Sequence, residues 1–240
     1  MSSNSGVPGA PKSKGISTLS VGIVLLLLRG NPTVAGEGPA HVTSGAAAHT
    51  CVVIAAGETR PEFGCFRIGI AKNLKFSTPT VYWHLQTYQS QAAANAAKSP
   101  NGIVVEEDGR VWLSEFGSKH RATQGGRSIA VIGPLSLVAG KSYDAEIAYS
   151  IMAPSDHSRV HTHAGPEAWY VLAGVQCLET PAGIHRAHAG ETMSVAPNGP
   201  MQLSVTGADI ARSLVLVIHA SAQDFGTASD WKPPGSCQQS

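Results

Sequence analysis

The sequence predicts a mainly β protein, with short antiparallel strands closing into a sandwich or barrel. Three observations carry this. The chain holds 26 glycines and 15 prolines in 240 residues, a supply of turns that favours sheets over helical bundles. From Lys141 onward, short alternating apolar segments follow one another, punctuated by Gly, Pro, Asn and Asp. Only SQAAANAAKS (90–99) has the composition of a helix, with Ser90 as its cap and SPNG to end it.

Taken in order, the chain opens on a targeting segment. MSSNSGVPGAPKSKGISTLS carries Lys12 and Lys14 and no acid, SVGIVLLLL is a short apolar run, and NPTVAGEGPA supplies small residues for cleavage. Residues 1–35 therefore read as a signal peptide, or as an uncleaved N-terminal anchor, and either places the protein outside the cytoplasm, periplasmic or secreted. Residues 36–60 are small and polar and form a flexible lead-in. An α+β extension follows over 61–140: strands at 64–71 and 80–88, the helix, a hairpin over 102–116 turning at Asp108-Gly109, and a strand at 128–137. It either lengthens the sheets of the following barrel or is a worn first repeat of it. Over 141–222 nearly everything reads as strand: 142–154, 159–163, EAWYVLAGVQCLETP (167–181), 184–190, 191–197, 201–207 and 213–220. The tail, 223–240, has no period and wraps the surface.

Composition excludes some functions. The formal net charge is +1, so no bulk attraction to nucleic acid is expected, and no Lys/Arg run offers a phosphate-binding stripe. Cleavage near Ala35 would leave about −2. No GxSxG elbow, P-loop or dinucleotide fingerprint is present. Cys51, Cys65, Cys177 and Cys237 allow three complete pairings, and export permits them to form. Their spacing does not choose among these, although Cys237 is placed to staple the tail.

The chemistry concentrates in HTHAGPEAWYVLAG (161–174). On a strand, residues two apart face the same way, so His161 and His163 share one face. After the AGP turn, Glu167, Trp169 and Val171 alternate onto one face of the next strand. If the two strands are neighbours in a barrel, two imidazoles and a carboxylate meet inside it, a donor set suited to Fe, Mn, Zn or Ni.

These residues resemble the first motif of the cupin superfamily, HxH(x)3–4E(x)6G, at His161, His163, Glu167 and Gly174. GETMSVAPNGPMQ (190–202) is similar to the second motif, G(x)5PxG(x)2H, at Gly190, Pro197 and Gly199, with one extra residue before the proline. The motif's usual leading glycine is absent, Ser155 standing there. The resemblance spans about 142–220 and extends to small exported bacterial cupin-domain proteins. It implies a double-stranded β-helix, the jelly-roll-like barrel, over 141–222, with a divalent transition metal inside and a homodimer formed through sheet edges. Gln202 stands where the family's fourth ligand, a histidine, stands. Gln202 ligates through its amide oxygen, or holds a water ligand, or leaves a three-ligand site with open positions of the kind used in non-haem Fe(II) chemistry. Trp169 and Met201 are pocket-wall candidates, with core packing the ordinary role for both; by alternation Met201 faces opposite to Gln202.

Three function classes follow. The first is a metal-dependent enzyme acting on a small molecule, oxygenase- or isomerase-like; the second is a non-catalytic protein that binds a small ligand in a degenerate or metal-free pocket; the third is a structural or interaction protein with a vestigial pocket. The remaining histidines carry less. His185 and His188 read as solvated, His157 as a loop residue, His219 as a hydrogen-bonded strand end and His84 as an isolated polar side chain.

Overall fold

The computed structural model describes residues 51–55, 57–122 and 124–238. The expected leader and the lead-in as far as residue 50 lie outside the described residues. Among those described, no helix is long and apolar enough to cross a membrane. The elements are β1 (Gly64–Lys75), β2 (Thr80–Tyr88), α1 (Gln91–Ala97), β3 (Ile103–Glu107), β4 (Arg110–Gly117), β5 (Arg127–Ser136), β6 (Ser142–Met152) and β7 (His161–Thr162), followed by β8 (Glu167–Ala173), β9 (Val175–Thr180), β10 (Gly183–His188), β11 (Thr192–Val195), β12 (Gln202–Val205), β13 (Ala211–Ala220) and β14 (Thr227–Ala228).

Local chemistry accounts for several boundaries. Ser90 Oγ accepts from Ala93 N at 3.2 Å, so α1 starts on a side-chain cap. Asp108 and Gly109 both take positive φ, 55° and 68°, the backbone that a two-residue hairpin turn needs between β3 and β4. EAWYVLAGVQCLETP, expected as one strand, is two. Gly174 breaks it at φ 70°, and a Cβ there would lie 2.8 Å from Ala211 Cα and Ile210 O, so the chain turns a corner that only glycine fits.

The sheets stack in three layers. The middle sheet runs β1-β6-β13-β8-β11, every neighbour antiparallel. On one side lies β10-β9-β12, which closes the barrel; on the other lies β3-β4-β2-β5. The middle sheet is thus covered on both faces. Val215 and Val217 of β13 pack into the barrel with Trp169, Leu178 and Leu203, while Leu214, Leu216 and Ile218 pack against Trp83, Leu85 and Trp112 of the outer sheet. A strand buried on both faces reads as a continuous apolar run, which is what SLVLVIHA is. Of the N-terminal strands, only β1 lengthens a barrel sheet, by pairing with β6; β2 to β5 form a sheet of their own.

Two disulfides fasten the ends. Cys51 joins Cys65 on β1, and Cys177 on β9 joins Cys237. The second lays the tail along the outer face of β9, where Ser236 N also donates to Glu179 Oε1 at 2.7 Å.

Candidate metal centre

Backbone pairing on both sides holds β7. His161 exchanges backbone hydrogen bonds with Met201 at 3.1 and 3.0 Å, and Thr162 and His161 pair with Thr227 and Ala228 of β14. The Ala164-Gly165-Pro166 turn then lies against β13. Ile218 N donates to Pro166 O at 3.1 Å, and a Cβ on Gly165 would sit 1.7 Å from Ile218 O. This close approach brings the chain straight from His163 into Glu167, whose side chain faces the barrel interior with Trp169 and Val171. Glu167 Oε2 lies 3.0 Å from His163 Nε2 and 3.8 Å from His161 Nε2. One donor atom from each of the three residues lies within 4.8 Å of the others.

Hydrogen bonds fix the tautomers. His161 Nδ1 donates to Arg159 O at 2.7 Å, and His163 Nδ1 donates to Phe225 O. With Nδ1 donating to a carbonyl in each ring, Nε2 is the atom turned toward Glu167. His163 Nε2 and Glu167 Oε2 are buried and have no hydrogen-bond partner among the described residues, although they lie only 3.0 Å apart. Two acceptors facing each other in a buried site need a proton or a cation between them. Burial alone would push the Glu167 carboxyl up, but the imidazoles of His163 and His161 outweigh it and hold it at about 2. The carboxylate is therefore ionised at neutral pH. Burial likewise pulls His161 down, and Glu167 outweighs it to leave that imidazole raised. Two imidazole nitrogens and one ionised carboxylate converge here, and once a divalent transition metal displaced the proton that His161 shares with Glu167 the set would fit it.

The three ligands floor a cavity of about 320 Å³. Val160, Phe225, Ala228 and Cys51 wall it, so the C-terminal segment forms one side. Phe225 is fixed there: its carbonyl holds His163, its ring meets the His163 ring edge-on at 5.2 Å, and the Arg67 guanidinium lies 5.1 Å from its centroid. Arg67 also pairs with Glu146, which His219 Nε2 approaches at 3.1 Å, giving a buried charge network behind the phenyl ring.

His161, His163 and Glu167 are thus brought together as the sequence predicts, and Gln202 is not. Met201 bridges His161 across the strands and is fully buried among Trp169, Leu203 and Val205. Alternation then turns Gln202 to the opposite face, beside Glu179, where its amide donates to Ser158 O at 3.1 Å. The expected alternation holds but its phase is reversed: Met201 is the residue that faces inward. Trp169 also faces inward. Both pack in the core, and neither lines the cavity above the ligands. His185 and His188 are exposed on β10, His157 pairs with Ser204, and buried His84 contacts Ser118 O at 2.8 Å. Phe225 and the Arg67–Glu146–His219 network were not legible. The tail has no period, and three residues from distant strands meet only through sheet pairing.

No protein-family model matches the chain, and neither does any curated protein. Solved structures do. A cupin 2 conserved barrel domain protein from Salinispora arenicola CNS-205 is 20% identical, with a TM-score of 0.30 over 32% of this chain and 65% of its own. A cupin 2 domain-containing protein from Halorhodospira halophila is 19% identical, with a TM-score of 0.32 over 36% and 59%. A point variant of the oxalate decarboxylase of B. subtilis is 12% identical, with a TM-score of 0.32 over 40% and 30%. The chain spans less than two thirds of the length of each. The neighbours are cupin-domain proteins, the superfamily that the motif residues resemble.

Proposed function

We propose that the protein is an exported metal-dependent enzyme acting on a small molecule, with a divalent transition metal held by His161, His163 and Glu167. One observation carries this reading: two imidazole nitrogens and a carboxylate converge in a site where buried His163 Nε2 and Glu167 Oε2 have no other partner among the described residues. A bound metal would supply Lewis acidity or, as iron, O₂ chemistry, so the reaction is oxygenase- or isomerase-like. The residues of the chain do the rest. Arg159 O and Phe225 O fix which ring nitrogen of each histidine is free. Glu167 supplies the single negative charge, and Val160 and Phe225 give the cavity apolar walls. The two disulfides support export, periplasmic or extracellular.

The test is elemental analysis of the protein purified without added metal or a His-tag, beside His161→Ala. Near-stoichiometric metal in the parent and its loss in the variant is the expected result. Absence of metal from both, after incubation with Fe(II), Mn, Ni and Zn, would overturn the proposal and leave a metal-free binding barrel.

A further inference from the structure

The cavity restricts what can bind over these ligands. Its volume is about 320 Å³, and a cavity of about 150 Å³ accepts one benzene, so the space suits about a dozen non-hydrogen atoms. Charge restricts it further. A divalent ion on one carboxylate and two neutral imidazoles leaves a single positive charge at the floor. Among the described lining residues, Arg159 and Asp224 carry opposite charges, so the walls add no net charge. Arg67 lies against Phe225 and is paired with Glu146. Apart from Arg159, Asp224 and Thr227 the walls are apolar: Val160, Ala228, the disulfide-bonded Cys51 and the half-buried phenyl of Phe225. The carbonyl bond to His163 anchors the backbone of Phe225, and the phenyl itself is held between the His163 ring at 5.2 Å and the Arg67 guanidinium at 5.1 Å.

We infer that the site takes a compact monoanion with one oxygen-bearing head on the metal and an apolar, ring-sized body against Phe225. Dicarboxylates are disfavoured, because the second charge would either be desolvated against the apolar body of the cavity or have to reach Arg159 at the exposed rim, where Asp224 offsets it. The inference rests on the metal reading above and adds the class of ligand to it.

Two probes with the same chelating head separate body from head: acetohydroxamate and benzohydroxamate. The full-length protein is loaded with Co(II), and each probe is titrated while the cobalt d–d absorption is followed, with malonate as the dianionic comparison. Burying the phenyl in place of a methyl predicts about tenfold tighter binding of benzohydroxamate. In Phe225→Ala, which keeps the backbone carbonyl, that advantage should fall below about threefold while acetohydroxamate binds as before. Equal affinities of the two hydroxamates, an advantage unchanged in Phe225→Ala, or tighter binding of malonate than of benzohydroxamate would each overturn the ligand class. These outcomes leave the metal reading standing, whereas failure of Co(II) to bind removes that reading and the inference with it.

Discussion

Gly165 separates the second histidine from the glutamate, and the structure says what a single methyl group there would do. An alanine Cβ would lie 1.7 Å from Ile218 O, a backbone atom of the central strand β13. Reaching even the shortest tolerated separation requires the 164–166 turn to move away from β13 by at least about 1.3 Å. That movement breaks the 3.1 Å hydrogen bond from Ile218 N to Pro166 O, at about 1 kcal/mol. Residual crowding adds about 2 kcal/mol. A total of about 3 kcal/mol lowers Tm by about 6–12 °C in a protein of this size. The same displacement separates His163 Nε2 from Glu167 Oε2, which stand 3.0 Å apart at the two ends of the turn, so metal affinity should fall at least about tenfold. Gly117→Ala is the control. A Cβ there meets nothing closer than 3.4 Å, so both Tm and affinity should hold. The assays are thermal denaturation and competition for metal against a fluorescent chelator. A Gly165→Ala protein with parental Tm and parental metal affinity would refute the packing argument.

Other predictions follow from the same geometry. Gln202→His should leave metal affinity within about twofold of the parent in the same competition assay, because residue 202 lies on the outer face with Glu179; a tighter site would mean that the side chain reaches the metal. Removing the Cys177–Cys237 bond, which closes a loop of 60 residues, in a Cys177→Ala, Cys237→Ala double variant should cost about 4 kcal/mol in guanidinium unfolding. It should also weaken metal binding, since the freed tail carries the Phe225 carbonyl that holds His163. Lost stability with unchanged affinity would show that the tail does not orient the ligand.

Legibility followed the range of the interactions involved. Thr80–Tyr88 alternates in sequence because one face meets the core while the other carries His84 and Gln86, and this strand was placed to the residue. The Asp108-Gly109 turn was legible because its chemistry is local. By contrast, EAWYVLAGVQCLETP looks like one strand to any local rule. Its break at Gly174 depends on Ile210 and Ala211, which pack against that glycine from far along the chain. The outer sheet was equally hidden. Nothing in β2 to β5 announces that they pair among themselves while β1 goes to the barrel.

The site shows the same division, and the reversed phase at Met201 shows where the boundary falls. His161, His163 and Glu167 lie on one short segment, so strand period and one turn were enough to converge them. Residue 202 had to be placed from a separate strand, and strand parity is all or nothing: a slip of one residue exchanges the inward and outward sets. The parity there is set by the bridge between His161 and Met201, a non-local pairing in which both residues turn the same way. The sequence carries one extra residue between Gly190 and Pro197 relative to the motif it resembles, a departure that makes parity unreliable beyond that point. With the Met201 thioether buried in the inward position, the chain offers two imidazoles and one carboxylate and no side chain from residue 202. The described cavity over these three residues is lined on one side by Asp224, Phe225, Gly226, Thr227 and Ala228, so a molecule approaching them would meet the disulfide-anchored tail.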